Sequence, residues 1–295
     1  MALAADGALP VAQFYISQRL RLHYADWGNA TAAPLILVHG GRDHCRSWDA
    51  VARALRQDWH VIAPDLRGHG DSAWSSDGNY SMAAYVFDLA QLAHAQGPRP
   101  ATIIGHSLGG NIALRFAGLY PHTLHRLIVM EGLGPAPKLL AERDARDFGE
   151  RARGWIEQKR ALASRRPRRY SSVAAAAVRM RLANPRLSAE QAHELTVRGV
   201  NENADGSYSW KYDEHVRLDP PPDLSGAAQH ELWGHVTCPT LLAYGRQSWA
   251  SNPANDGRAG YIKNCTVRVF DDAGHWMHHD CLEQFVSEIR QFLSG

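Results

Sequence analysis

The pentapeptide Gly105-His106-Ser107-Leu108-Gly109 reads G-x-S-x-G and carries the strongest chemical signal in the chain. Thr102-Ile103-Ile104 before it reads as a buried strand, and the residues after it, as far as Tyr120-Pro121, read as a helix. A serine on such a sharp strand-to-helix turn is pushed into a strained conformation, and only residues without a Cβ fit beside it. Its hydroxyl then stands free at the carboxyl edge of the sheet, where parallel sheets bind ligands. The amide of Leu108, at a helix N-terminus, points at the same spot and can donate to a developing oxyanion. His39-Gly40-Gly41 offers a second donor in the amide of Gly41. Losing one such donor typically costs ~3–4 kcal/mol of transition-state stabilisation.

A serine hydroxyl is a weak nucleophile until a base takes its proton. Among sixteen histidines, His275 has the position for that role, because Gly274-His275-Trp276 follows the last strand and returns to the same sheet edge. His39 suits the bracing of a loop, His69 a structural place in Arg67-Gly68-His69-Gly70, and His106 burial beside the serine. His275, His278 and His279 with Cys281 form an alternative metal-ligand reading at helical spacing. An H-E-x-x-H signature is missing, so no metal is expected. Candidate substrate contacts are Asp43 and His44 just past the oxyanion loop, His106, and Trp48, Trp249 and Trp276 beside the active-site loops. Core packing explains the tryptophans equally well.

These groups need a scaffold that brings strand ends together. Phe14 to Gly28 alternates like a hairpin with Arg19 near its turn, closed by Asp26-Trp27-Gly28-Asn29. Leu35-Ile36-Leu37-Val38, Val61-Ile62-Ala63 and Leu127-Ile128-Val129-Met130 are further apolar runs suited to strands buried on both faces. Between them, Met82, Tyr85, Val86, Leu89, Leu92 and Ala93 mark a helix with Ser81 as its N-cap and Gly97-Pro98 as its stop. Strands alternating with helices imply a parallel sheet covered on both faces. The rhythm breaks after Gly134. Residues 138–198 have helical periodicity, 201–212 form a polar turn, and Asp219-Pro220-Pro221-Pro222 ends it. Strands resume at Thr240-Leu241-Leu242-Ala243-Tyr244 and Val267-Arg268-Val269-Phe270, and a closing helix carries Leu282, Phe285, Val286, Ile289, Phe292 and Leu293 on one face.

In this order His39-Gly40, Asp65-Leu66-Arg67-Gly68-His69-Gly70-Asp71-Ser72, Gly105-His106-Ser107-Leu108-Gly109-Gly110 and Gly274-His275-Trp276 resemble the α/β-hydrolase fold family from about residue 14 to 293. The resemblance implies an α/β protein with a mostly parallel eight-stranded sheet, helices on both faces and a helical cap inserted after strand six. Residues 1–132 and 237–295 then form the core and 133–236 the cap. The family usually carries its acid after the seventh strand as Gly-x-x-Asp, but this chain reads Gly245-Arg246-Gln247-Ser248 there. Some members place the acid after the sixth strand, where Glu131 stands, so the resemblance implies Ser107, Glu131 and His275 as nucleophile, acid and base. Asp256 is the fallback acid.

Composition narrows the setting. With 45% hydrophobic and 21% charged residues the chain is an ordinary globular one, and 32 Lys plus Arg against 30 Asp plus Glu leave a charge of +2. No global field is available to collect nucleic acid. No apolar run reaches the ~18 residues of a membrane span, residues 1–10 do not read as a signal peptide, and the four Cys lack CxxC spacing. A cytoplasmic protein with neither cofactor, nucleic-acid partner nor membrane partner is expected, its oligomeric state unreadable. Between residues 158 and 189 there are nine basic residues and no acidic ones. A solvated helix surface explains this stretch better than attraction of an anionic substrate. The expected function is hydrolysis of carboxylic esters, including lactones, through an acyl-enzyme. Carbon–carbon or amide cleavage by the same triad, or a non-catalytic ligand-binding role, are the alternatives.

Overall fold

The apolar runs become the centre of one sheet, and their period-two alternation decides which face each side chain covers. The computed structural model describes residues 7–218 and 223–295, so Asp219-Pro220-Pro221-Pro222, expected to end the polar turn, and residues 1–6 lie outside the described residues. The strands are β1 (Val11–Ser17), β2 (Leu20–Asp26), β3 (Pro34–Val38), β4 (His60–Pro64), β5 (Ala101–His106), β6 (Leu124–Met130), β7 (Val200–Glu202), β8 (Tyr208–Trp210), β9 (Thr240–Gly245) and β10 (Cys265–Phe270). Eight of them form a sheet in the order β1-β2-β4-β3-β5-β6-β9-β10, while β7 and β8 pair separately. Only β2 runs antiparallel to its neighbours β1 and β4; the pairs from β4 to β10 are parallel. The expected mostly parallel eight-stranded sheet is what the chain forms.

Eleven helices occur among the described residues: α1 (Asp49–Leu55), α2 (Met82–Ala95), α3 (Leu108–Leu119), α4 (Pro137–Asp144), α5 (Phe148–Ala163), α6 (Val173–Ala183), α7 (Ala189–Gly199), α8 (Gly226–Gly234), α9 (Pro253–Asp256), α10 (Met277–Asp280) and α11 (Leu282–Ser294). Ile36, Val38, Ile103, Leu127 and Val129 face α2, α3 and α8 in one apolar cluster. Leu35, Leu37, Ile104, Ile128 and Met130 face α1 and α11 in the other. The central strands β3, β5 and β6 thus feed both layers, as a sheet buried on both sides requires. Ser81 caps α2 by accepting from the Ala84 amide, and Gly97 follows the helix at a φ of 94°. In α7 the Ser188 and Gln191 side chains complete a capping box.

Between β6 and β9 lie α4 to α8 and the β7–β8 hairpin. The last of these helices belongs with the sheet. Trp233 of α8 joins the same cluster as α3, and a Cβ on Gly118 of α3 would stand 2.4 Å from the Leu232 carbonyl oxygen. None of the described helices is long and apolar enough to cross a membrane.

One buried ion pair fixes the loop after β4. Arg67 Nε and Nη2 donate to the two carboxylate oxygens of Asp88 on α2 at 2.6 and 2.7 Å, and Ser17 Oγ on β1 adds a third bond at 2.6 Å. Both charged side chains are almost wholly buried, 2% and 3% exposed. Removing one partner strands the other in low dielectric, so Asp88→Ala is expected to lose about 3–5 kcal/mol of stability. Urea unfolding measures it, and a loss below about 1 kcal/mol would contradict this account of the loop.

Candidate active site

Backbone contacts at the end of β5 explain the glycines around Ser107. A Cβ on Gly105 would stand 2.5 Å from the Gly109 carbonyl oxygen, and one on Gly109 would stand 2.3 Å from that of Val38. Neither distance is tolerable for a real side chain, so the strand-to-helix turn closes only with glycine at both positions. Ser107 itself takes φ 52° and ψ −113° as the N-cap of α3. Its amide donates to the Met130 carbonyl at 2.7 Å, which ties the turn to β6. Six non-glycine residues have positive φ among those described, and Ser107, Glu131 and Arg42 are three of them. Strain of this kind persists where the surroundings over-determine the backbone.

Glu131 follows β6 at φ 48° with its side chain fully buried. Its Oε1 accepts from the Gly245 amide at 2.9 Å. Its Oε2 accepts from Ser248 Oγ at 2.6 Å and from His275 Nδ1–H. One carboxylate therefore joins the ends of β6 and β9 to the loop after β10. The hydroxyl of Ser248 donates to the same carboxylate oxygen that holds His275. Sequence reasoning missed this role, and the signal was there: Ser248 stands at the very position where an acid is absent. Asp256, the fallback, is engaged elsewhere, with its carboxylate 2.7 Å from Arg258 Nη2 and 2.6 Å from Ser251 Oγ.

His275 is held from its other side as well. His106 Nε2–H donates to the His275 carbonyl at 2.9 Å, and the two rings lie 4.7 Å apart. The Trp249 ring stands 4.9 Å away from His275 and is 79% exposed, at the rim of the site. On the opposite side, Gly41 adjoins Leu108: a Cβ there would meet the Leu108 side chain at 3.9 Å. Leu108 opens α3, where helical amides lack partners in their own helix. His39 braces this loop, donating from Nδ1 to the Gly40 carbonyl at 2.7 Å and accepting the Leu66 amide on Nε2 at 3.0 Å.

Ser107, Leu108, Glu131 and Trp249 line one cavity of about 1450 Å³, whose far wall is made by Leu139, Leu140, Trp155 and Val216 of the inserted segment. Of the six expected substrate contacts only Trp249 is on that lining. Trp48 is completely buried and stacks on His278, because the turn after β3 aims it into the core. His44 Nε2–H donates to the Leu195 carbonyl of α7 at 2.9 Å and fastens the insertion to the loop after β3. Asp43 is buried and accepts the His44 amide. His106 is occupied with His275, and Trp276 packs on Leu187, Ala192 and Leu195. The four residues of the helical-spacing metal reading do not converge either: His275 faces Glu131, and the Cys281 thiol donates to the Met277 carbonyl at 3.3 Å.

None of the nine basic residues of 158–189 lines the cavity; Arg115, Arg143, Arg146, Arg151 and Arg217 do. Several of the nine find partners at the surface, Arg160 on Glu157, Arg169 on Asp205 and Arg186 on Asp280.

Comparison with known proteins follows the same lines. Residues 33–280 match the family described as alpha/beta hydrolase fold. A serine hydrolase-like protein of Danio rerio is 30% identical over 195 residues, which cover 65% of this chain and 58% of that protein. A Mycobacterium bovis protein is 37% identical over 129 residues, 44% of this chain and 37% of its own length. The chain thus spans about half or less of the length of these two relatives. An esterase of Mycobacterium tuberculosis is 30% identical over 274 residues, 90% of this chain and 84% of that protein. Among solved structures, the thioesterase domain from the curacin biosynthetic pathway superposes with a TM-score of 0.83 at 25% identity, covering 96% of this chain and 99% of that one.

The bracing of the loop after β3 is expected to be sensitive to acid. Burial, and next the neighbouring His69, push His39 down to about 3, although Asp65 opposes the shift. Burial pushes His69 down to about 4. Both folded values lie below the unfolded one near 6.5, so their contribution is complete above that pH and is lost as pH falls toward the folded values. Acidification from pH 7 to 5 is expected to remove about 4 kcal/mol through these two groups. Urea midpoints at the two pH values measure it. His69→Gln should halve the loss, and an unchanged slope in that variant would rule out its share.

Proposed function

Because the chain belongs to the alpha/beta hydrolase fold family, we propose that this hydrolase cleaves carboxylic esters, lactones included, through an acyl-enzyme. The observation that carries the reading is the buried Glu131 carboxylate on His275 Nδ1, beside a serine at positive φ on the same cavity. In this reading Ser107 Oγ attacks the ester carbonyl while His275 Nε2 takes the hydroxyl proton. The amides of Leu108 and Gly41 stabilise the oxyanion that forms. Collapse of the tetrahedral intermediate breaks the bond to the alcohol, which receives the proton from His275. Water, deprotonated by the same imidazole, then attacks the acyl carbonyl and regenerates Ser107. Glu131 holds the ring in the tautomer that leaves Nε2 free to accept, and it stabilises the imidazolium.

The esterase name of the Mycobacterium tuberculosis relative supports the ester class, as does that of an Escherichia coli esterase 26% identical over 89% of this chain. The non-catalytic alternative drew on the missing acid after the seventh strand, and Glu131 on His275 removes that motive. The inserted segment that precedes α8 acts as a cap, shorter at its far end than the expected 133–236, and its apolar side chains close the cavity. A space of about 1450 Å³ exceeds the roughly 300–1,000 Å³ of an ordinary small-molecule pocket, which favours bulky or long-chain esters.

Turnover of a series of p-nitrophenyl esters of increasing chain length tests this. Ser107→Ala should lose about 10⁶-fold in kcat and Glu131→Gln about 10⁴-fold, while Asp256→Asn stays near wild type. Ser248→Ala, which removes one hydrogen bond to a buried carboxylate, should lose about 10- to 100-fold. No turnover of any ester by the wild type would sink the ester reading. Full activity in Glu131→Gln would dismiss Glu131 as the acid.

A further inference from the structure

Beneath the cavity, the loops that carry Gly41, Ser107 and His275 meet again at a second group of side chains. Asp43 comes from the segment after β3, His106 from the end of β5 and His278 from α10, and they are only 5%, 1% and 2% exposed. One ligand atom from each lies within 4.8 Å of the other two. Asp43 Oδ2, His106 Nδ1 and His278 Nδ1 have no hydrogen-bond partner among the described residues.

The remaining polar atoms of these side chains fix what those three present. A carbonyl can only accept, so the bond from His106 Nε2 to the His275 oxygen puts the ring proton on Nε2 and leaves a lone pair on Nδ1. His278 Nε2 lies 3.4 Å from Ser47 Oγ. The same hydroxyl lies 3.2 Å from His279 Nε2, and when it accepts from His278 Nε2 the lone pair of His278 Nδ1 is left free as well. Asp43 Oδ1 accepts the His44 amide at 2.8 Å. Two imidazole nitrogens and a carboxylate oxygen without hydrogen-bond partners among the described residues are therefore buried together in one place. Gly40 preserves the room, since a Cβ there would stand 2.8 Å from His106 Nδ1.

We propose that Asp43, His106 and His278 bind one divalent transition cation, zinc being the best match to a carboxylate and two imidazoles, and that the ion fastens the three active-site loops to one another. Two imidazole nitrogens and a carboxylate oxygen are an ordinary zinc donor set. The second nitrogen of each ring bonded to an oxygen is the arrangement that orients ligating histidines. The other close group, His23, Cys45 and Asp65, has no such surplus: Asp65 Oδ2 already accepts from His23 Nδ1 at 2.7 Å, and Oδ1 from the Cys45 amide. Burial also pushes the Cys45 thiol up, against the thiolate a metal needs. The proposed ion takes no part in bond cleavage, so its site stands or falls apart from the ester reading.

The test uses the full chain, stripped with a chelator and titrated with Zn²⁺ alone. One equivalent should bind and raise the melting temperature. X-ray absorption of the wild-type complex should show nitrogen and oxygen neighbours at about 2.0–2.2 Å and no sulfur near 2.3 Å. Asp43→Asn and His278→Gln should each weaken binding by at least about 100-fold, and Cys45→Ser should leave it intact. No bound equivalent, a sulfur neighbour in the wild type, or undiminished binding by Asp43→Asn and His278→Gln would overturn the proposal. The absorption measurement needs no variant, so a substitution that fails to fold cannot decide the matter.

Discussion

A carboxylate removed from water is costly unless donors replace its hydration, and the arrangement around Glu131 is a response to that cost. A backbone amide from the end of β9, a hydroxyl from the next loop and an imidazole from the loop after β10 all converge on it. The donors lie 114, 117 and 144 residues beyond Glu131 in the chain, and the parallel sheet is what brings these strand ends to one edge. Satisfying this one group therefore sets the heights of three loops relative to each other. Ser107 joins the same arrangement through its amide on Met130, the residue just before the acid. The positive φ of both Ser107 and Glu131 shows that backbone geometry yields to the contacts here.

Legibility of the sequence followed the range of the forces involved. The nucleophile turn was readable because its glycines answer to backbone contacts of their own neighbourhood: Gly105 meets Gly109, and Gly109 meets the end of β3. The sheet, α2 and α11 were readable from periodicity, since burial on one or two faces imprints itself on every turn. Glu131 was reachable only through the empty position at Ser248 and the order of motifs. The hydroxyl bond between those two residues joins positions 117 apart and leaves no local pattern. Trp48, His44 and Trp276 misled because nearness in sequence to an active-site loop says nothing about direction. Trp48 turns inward to stack on a histidine, and His44 reaches across to α7. The basic stretch of 158–189 read best as a solvated helix surface, and none of its basic residues lines the cavity.

The insertion is bound to the core by bonds scattered along its length. Besides His44 on Leu195, Tyr80 donates to Asp213 at 2.6 Å, Arg115 grips Asp223 with both nitrogens, and Arg186 reaches Asp280. Arg258 holds the Gly134 and Pro135 carbonyls where the chain leaves the sheet. Polar ties of this kind fix position without requiring a continuous apolar seam, and they leave the apolar side chains of α4 and α5 free to face the cavity.

The close packing of Gly132 against α3, where a Cβ would stand 2.6 Å from Gly110, has a practical meaning for redesign. Glu131 and the first residues of the insertion share one short connector, so any junction between them must fall within a few residues of the carboxylate. An insertion transplanted from another scaffold can be joined after Gly134, whereas a graft starting at or before residue 131 would take the carboxylate away with it. At the far end the splice belongs before α8, which is part of the sheet's own covering layer. The interchangeable module is thereby shorter than the distance between the two strands that flank it.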